Sequence, residues 1–146
     1  MRDMTHIVAK FREAGLKITP QRLSICHLLK DDHCHPSAEE IYHKALKIHP
    51  SISFTTVYKT LQTLRELGEI QELNIDPERV HYDPEVRDHA HFFCKSCKSL
   101  VDLEMDPTDS GMITDLFPQT ENLEIHHTQV HMVGLCAGCR RINQGD

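Results

Sequence analysis

Four cysteines in two pairs, Cys94-x-x-Cys97 and Cys136-x-x-Cys139, carry the strongest chemical signal in the chain. Each pair presents two thiolates at the spacing that grips one soft metal ion. Together they supply the four sulfurs of a tetrahedral zinc site. Four protein thiolates leave no open position for water, so such a zinc holds structure and performs no chemistry. Two disulfides are the competing use of four cysteines, and the paired spacing favours metal. Function has to be carried by other residues.

A second group has a different character. His89-x-His91 alternates along an extended segment, so both imidazoles project from one side of the chain. Asp83, six residues before His89, and Asp102, beyond the first cysteine pair, each offer a hard carboxylate oxygen. His35, just ahead of Ser37-Ala38-Glu39-Glu40, adds an imidazole from the first half. Three imidazoles and two carboxylates form a nitrogen–oxygen set suited to Fe(II), Mn(II), Co(II) or Zn(II). Any one of these histidines alone reads as an ordinary surface residue; the set points to metal.

The elements that must position these groups begin with helices. Ile7, Val8, Phe11 and Ala14 repeat at helical spacing, and Gly15 ends the stripe. Thr19-Pro20 opens a second helix with Leu23, Leu28 and Leu29 facing inward. Ser37 to Glu40 is a capping box at the head of a third, which runs through Ile41, Ala45 and Leu46. Beyond Pro50 a fourth helix starts near Ser53, buries Val57, Leu61 and Leu64, and stops at Gly68. Strand-like runs Ile70–Ile75 and Arg79–Tyr82 then flank the turn residues Asp76-Pro77-Glu78.

Helices followed by a hairpin are the order of a winged helix-turn-helix, whose last helix enters the DNA major groove. A generic small helical domain has the same order. The fourth helix offers Ser53, Thr55, Thr56, Tyr58, Lys59 and Gln62, groups able to meet phosphates or base edges. Taken alone they also fit a solvated face. Lys10, Arg12, Lys17 and Arg22 are basic groups that could reach a DNA backbone.

Residues 84–88, with Pro84, read as a hinge. Beyond it the pattern predicts strands His91–Cys94 and Leu100–Leu103, a helix from Asp109 to Phe117, and a long strand from Leu123 to Leu135. Cys26 reads as core and Cys34 as a small, partly buried side chain. The fold class expected is α+β, with domains at 1–83 and 89–146.

Composition agrees with two small domains of different character. The 146 residues are 39% hydrophobic and 26% charged, without tryptophan, as in a soluble globular protein. The net charge of −6 argues against a simple nucleic-acid coat, but its distribution changes that conclusion. Residues 1–80 hold eleven Lys/Arg against eleven Asp/Glu, whereas the remainder holds five against eleven. The first half therefore tolerates a polyanion and the second repels one. The first residues lack the apolar core of a secretion signal, and no run of about 18 apolar residues occurs. With cysteines at metal spacing, these features point to a cytoplasmic protein without a membrane partner.

The strings His35-Pro-Ser-Ala-Glu-Glu-Ile-Tyr42, Thr56-Val-Tyr58-Lys-Thr-Leu61, His89-Ala-His91-Phe-Phe-Cys94-Lys-Ser-Cys97 and Cys136-Ala-Gly-Cys139 resemble the ferric uptake regulator family. The likeness runs from Leu16-Lys17-Ile18-Thr19-Pro20-Gln21-Arg22 to Cys139, nearly the whole chain. It implies a homodimeric, metal-dependent repressor of double-stranded operator DNA, with a winged-helix domain and a small α/β dimerisation domain. Cys94, Cys97, Cys136 and Cys139 match the family's structural Zn(2+) ligands. His35, Asp83, His89, His91 and Asp102 match its regulatory site, which takes Fe(2+) or Mn(2+). Thr55, Thr56, Tyr58 and Lys59 lie on the matching recognition helix, and Lys17 matches a residue that approaches the minor groove.

Asp at 102 resembles the peroxide-sensing branch, whereas iron-sensing members more often carry Glu there. In that branch hydrogen peroxide reacts at bound Fe(II) and a ligand histidine is oxidised; His35 and His89 match the histidines involved. A plain iron sensor is the alternative, with zinc and nickel sensors behind it. Ala90 stands where iron sensors can have an acid, and His126-His127 is displaced relative to the usual pair. A further metal site at those histidines is therefore not implied.

Two other function classes compete. A non-haem iron enzyme would need open coordination positions and a substrate pocket, for which the chain gives no signal. A zinc-ribbon interaction module would leave the capped helices, the hairpin and His35 unexplained.

Overall fold

The computed structural model describes residues 3–30, 34–87, 89–104, 116–126 and 128–143. The chain divides into two compact units, Met1–Val86 and Arg87–Asp146. Its class is α+β.

The first unit contains α1 (Met4–Glu13), α2 (Pro20–Lys30), α3 (Ala38–Ile48), α4 (Phe54–Glu66), β1 (Gln71–Leu73) and β2 (His81–Asp83). Side-chain caps start the helices. Asp3 accepts from the His6 amide at 2.9 Å, and the Arg22 amide lies 3.3 Å from Thr19 Oγ1. Ser37 and Glu40 close a reciprocal capping box, and Ser53 accepts from the Thr56 amide at 3.1 Å. Each such cap is worth about 1 kcal/mol. Gly15 and Gly68, at φ +67° and +69°, turn the chain after α1 and α4 without a Cβ penalty.

Ile7 and Phe11 of α1, Ile25, Cys26 and Leu29 of α2, Ile41 and Ala45 of α3, and Val57, Leu61 and Leu64 of α4 are fully buried in one cluster. Each large apolar side chain there contributes roughly 1.5–3 kcal/mol. Ala14 is exposed, because α1 ends at Glu13 and the chain is already turning. Leu23 and Leu28 are only half-buried; the face of α2 that packs inward is carried by Ile25, Cys26 and Leu29. The β1–β2 hairpin pairs Gln71 with Asp83 and Leu73 with His81. Four helices followed by this two-stranded wing make the winged helix-turn-helix.

The second unit holds a three-stranded sheet in the order β4-β3-β5, from β3 (Ala90–Cys94), β4 (Leu100–Leu103) and β5 (Val130–Gly134). Strand β3 is central, antiparallel to β4 and parallel to β5. A short 3-10 turn, Pro118–Thr120, precedes β5, and α5 (Ala137–Asn143) follows it. Residues that pair directly across strands share a sheet face. His91 pairs with Asp102 on one side and His131 on the other, so the three form a row across the sheet.

The strand expected over Leu123–Leu135 shortens to Val130–Gly134, and Leu123 and Ile125 lie exposed outside it. Pairing partners set that limit, because β3 offers only Ala90 to Cys94 for β5 to lie against. The helix expected from Asp109 to Phe117 falls largely outside the described residues. No helix among the described residues is long and apolar enough to cross a membrane.

Candidate metal centres

Cys94 ends β3, Cys97 lies in the turn toward β4, Cys136 follows β5, and Cys139 sits in the first turn of α5. Their sulfurs all lie within 4.8 Å of one another. Cys97 Sγ and Cys136 Sγ are 3.8 Å apart. A tetrahedral zinc with Zn–S near 2.3 Å separates its sulfurs by about 3.8 Å, so the four thiols fit the ion. They are free thiols at ligand spacing, which leaves the disulfide alternative without support.

The backbone prepares these ligands. The Cys136 amide donates to Cys94 Sγ at 3.3 Å and, with the Cys97 amide, pulls the Cys94 thiol down to about 6. Ser99, whose hydroxyl lies 3.2 Å from Cys97 Sγ, lowers Cys97 as well. At Cys139 the Ser96 hydroxyl favours the thiolate, but the Cys136 and Cys97 sulfurs outweigh it and push the thiol up to about 11. Four sulfurs this close cannot all ionise unaided, and a divalent ion resolves that conflict.

The nitrogen–oxygen residues are held by different elements. In the first unit His35 lies just before α3 and Asp83 closes β2; both are buried. His35 Nε2 stands 3.6 Å from Asp83 Oδ1. The Asp83 carboxylate is fixed by Gln71 Nε2 at 2.9 Å and by the Glu85 amide at 2.7 Å. His35 itself adopts φ +51°, and its carbonyl accepts from His81 Nδ1 at 2.6 Å. His81 Nε2 lies 3.5 Å from Asp76 Oδ2.

In the second unit Asp102 Oδ1 stands 3.5 Å from both His89 Nε2 and His91 Nε2. The two imidazole centroids are 4.3 Å apart. Donors about 2.1 Å from a shared ion can be separated by up to about 4.2 Å. The 3.5–3.6 Å gaps in both units therefore suit atoms that bond an ion between them. His131 sits edge-on to His91, with centroids 5.7 Å apart. Burial, followed by the influence of His91, lowers the His131 imidazole below its ordinary value, which favours the neutral ring.

On α4, Thr55, Tyr58 and Lys59 are exposed. Thr56 is half-buried, its hydroxyl 2.9 Å from Ser53 Oγ at the cap. Lys17 is exposed at the α1–α2 turn, where its carbonyl accepts from Arg22. Lys10 is committed elsewhere: Nζ donates to the Leu67 carbonyl at 2.9 Å and pairs with buried Glu69, closing the end of α4. That pairing engages the ammonium that the sequence offered to a DNA backbone. Cys34 is exposed, not partly buried, whereas Cys26 is core as expected.

Residues 13–133 match the sequence pattern of the ferric uptake regulator family, most of both units. The chain belongs to the ferric uptake regulator family. Within it, the chain is 29% identical over 138 residues to the peroxide-responsive repressor of Staphylococcus epidermidis, covering 94% of this chain and 91% of that protein. The Staphylococcus aureus peroxide-responsive repressor is equally similar, at 29% over 94% of this chain and 92% of its own. Among solved structures, the Campylobacter jejuni peroxide stress regulator superposes with a TM-score of 0.67 at 29% identity, covering 91% and 95% of the two chains. The Helicobacter pylori ferric uptake regulator shares the fold with a TM-score of 0.79 at 22% identity, covering 94% and 91%.

In this ferric uptake regulator family member, local pattern identifies the cysteines and the His89/His91 pair. It assigns Asp76 only to a turn and gives no chemical role to His81 or His131. The signal available for His131 is its place in a strand-like run; that this run lies against β3 comes from the structure.

Proposed function

We propose that this protein is a metal-dependent DNA-binding repressor whose signal is hydrogen peroxide. The observation that carries the reading is the pair of histidine–carboxylate groupings, one in each unit, in a chain similar over most of its length to peroxide-responsive repressors. Residues 1–83 act as the DNA-binding domain, 84–88 as a hinge, and 89–146 as the dimerisation and metal-binding domain. Zn(2+) is held by Cys94, Cys97, Cys136 and Cys139. One Fe(2+) or Mn(2+) takes His35 and Asp83 from the first unit and His89, His91 and Asp102 from the second.

Ligands drawn from both sides of a hinge mean that occupancy selects one arrangement of the units, limited by the ion's preference for it. Strand β5 is the sheet's edge and carries exposed Met132 and Val133, which supports pairing with a second copy. A homodimer so arranged presents two α4 helices to successive turns of the major groove. Thr55, Thr56, Tyr58 and Lys59 contact the operator there, and Lys17 approaches the backbone. Both the DNA and the reduced thiols belong to the cytoplasm.

Bound Fe(II) supplies the electrons that cleave peroxide. The chain's part is to expose ligand imidazoles to that event, with His35 and His89 as the proposed targets. An oxidised imidazole is a poorer donor, so the grip on the ion is lost and DNA is released. Gel shifts with the Fe(II) and Mn(II) proteins test this: peroxide abolishes binding of the Fe(II) form and spares the Mn(II) form. If both forms respond alike, the peroxide assignment fails and the iron-sensing alternative takes its place. Peroxide consumed over many equivalents per protein would instead identify an enzyme.

A further inference from the structure

The cross-strand row Asp102–His91–His131 contains one residue that the proposed regulatory site does not use. His131 is half-buried, and its Nε2 is fully covered without a hydrogen-bond partner among the described residues. Buried polar atoms in native proteins are satisfied, by protein or by water, so this nitrogen calls for a donor. Its neighbour in the row supplies one. The Nε2 of His91 faces Asp102 Oδ1 at 3.5 Å, which makes Nε2 the metal-facing nitrogen and leaves Nδ1 to carry the ring proton. A direct N–H···N bond, with donor and acceptor about 3 Å apart, puts imidazole centres roughly 5 Å apart. The observed 5.7 Å is a small rotation, or one bridging water, from that arrangement.

We propose that His131 is a positioning residue for the regulatory metal: its Nε2 accepts the Nδ1–H of His91, directly or through one water, and so aims His91 Nε2 at the ion. The inference rests on His91 being a ligand. Metal-bound histidines commonly donate their second N–H to such a partner, which fixes the tautomer and raises the basicity of the bound nitrogen. Here the partner is a second imidazole from the adjacent parallel strand. It belongs to the sheet of the second unit.

The test uses the full-length, zinc-loaded protein and titrates Mn(II) and Co(II), the latter read by its visible absorption. His131→Leu weakens Mn(II) binding by about 10- to 100-fold and shifts the Co(II) absorption, with zinc content unchanged. His131→Gln, whose side-chain oxygen can accept the same bond, recovers most of the affinity. Mn(II) affinity in His131→Leu within twofold of the parent, or equal losses in the Leu and Gln variants, overturns the inference. His91→Ala separates the two claims. Loss of Mn(II) binding there, with none in His131→Leu, sinks the His131 role alone; unchanged binding in His91→Ala sinks the ligand assignment as well. One measurement needs no variant: imidazole 15N NMR is expected to find His131 neutral with Nε2 accepting, and a protonated Nε2 overturns the proposal.

Discussion

His81 donates through Nδ1 to the backbone carbonyl of His35 at 2.6 Å, and the residue so held has a φ of +51°. A non-glycine residue in the left-handed region costs about 1–3 kcal/mol and persists only where its surroundings impose it. Here they do. Ser37 bridges to His81, and the Tyr82 amide donates to the Pro36 carbonyl at 3.0 Å, so strand β2 grips the segment that carries His35.

Replacing His81 by Leu therefore leaves the His35 carbonyl buried without its donor. The expected cost is about 1–3 kcal/mol, a fall in melting temperature of roughly 3–10 °C. Mn(II) affinity also drops, because His35 loses its imposed direction. Calorimetry and Mn(II) titration check this; unchanged metal affinity would mean that His35 is aimed by other contacts.

The sulfur site has a signed pH dependence. Hydrogen bonds depress the Cys94 thiol to about 6, so its thiolate supports metal binding at neutral pH and loses that support as pH falls through about 6. Zinc affinity is expected to fall more steeply with pH below about 6, where Cys94 also takes up a proton, read by metal titration across pH. Cys139, pushed up to about 11 without metal, gives up its proton when zinc binds, so loading at neutral pH acidifies an unbuffered solution. Cys97→Ser lowers zinc content and stability together.

Asp102 faces two imidazoles with one oxygen. Asp102→Asn removes the charge and keeps the shape, and weakens Mn(II) or Fe(II) binding by about 10-fold or more, with zinc untouched. Asp102→Glu keeps the charge and adds a methylene. Its expected effect is a slower loss of DNA binding with peroxide, and an unchanged response would remove position 102 as the determinant of the signal.

Lys59 is exposed on α4, where an operator contact is proposed, and its ammonium suits a phosphate. Lys59→Ala is expected to weaken operator binding similarly across sequences and to reduce the salt slope by about 1. Tyr58→Ala, by contrast, alters the preference among operator sequences if the ring meets a base. A salt slope unchanged in Lys59→Ala would place that ammonium away from phosphate.

Two thiols outside the zinc set differ sharply. Burial pushes Cys26 up to about 12, so it stays a neutral thiol well above physiological pH. Cys34 is exposed. Iodoacetamide applied to the zinc-loaded protein modifies Cys34 first, and Cys26 only after denaturation, as peptide mass spectrometry resolves.

What could be read in advance follows from the range of each signal. Caps and glycine stops are coded within four residues, so Ser37, Ser53 and Gly68 announce their helices without help from the fold. Cysteine spacing and the His89-x-His91 alternation are equally local. The Lys10–Glu69 pair, the His81–His35 bond and the His91–His131 row join segments distant in the chain, and neither type nor spacing encodes them. The strand expected from Leu123 to Leu135 exceeds β5 for the same reason, since alternating apolar residues cannot reveal where a partner strand ends.

The two ends of the β3–β5 ladder have different fastenings. At one end Cys94 is itself in the last pair, with Gly134, Cys136 follows two residues later, and the Lys95 amide donates to the Gly134 carbonyl at 2.9 Å. Nearer the other end lies His91 beside His131. A slip of one residue between the strands would turn His131 to the opposite face. The zinc thus works as an anchor against sliding, and stripping it would blunt the distant imidazoles without touching any of them.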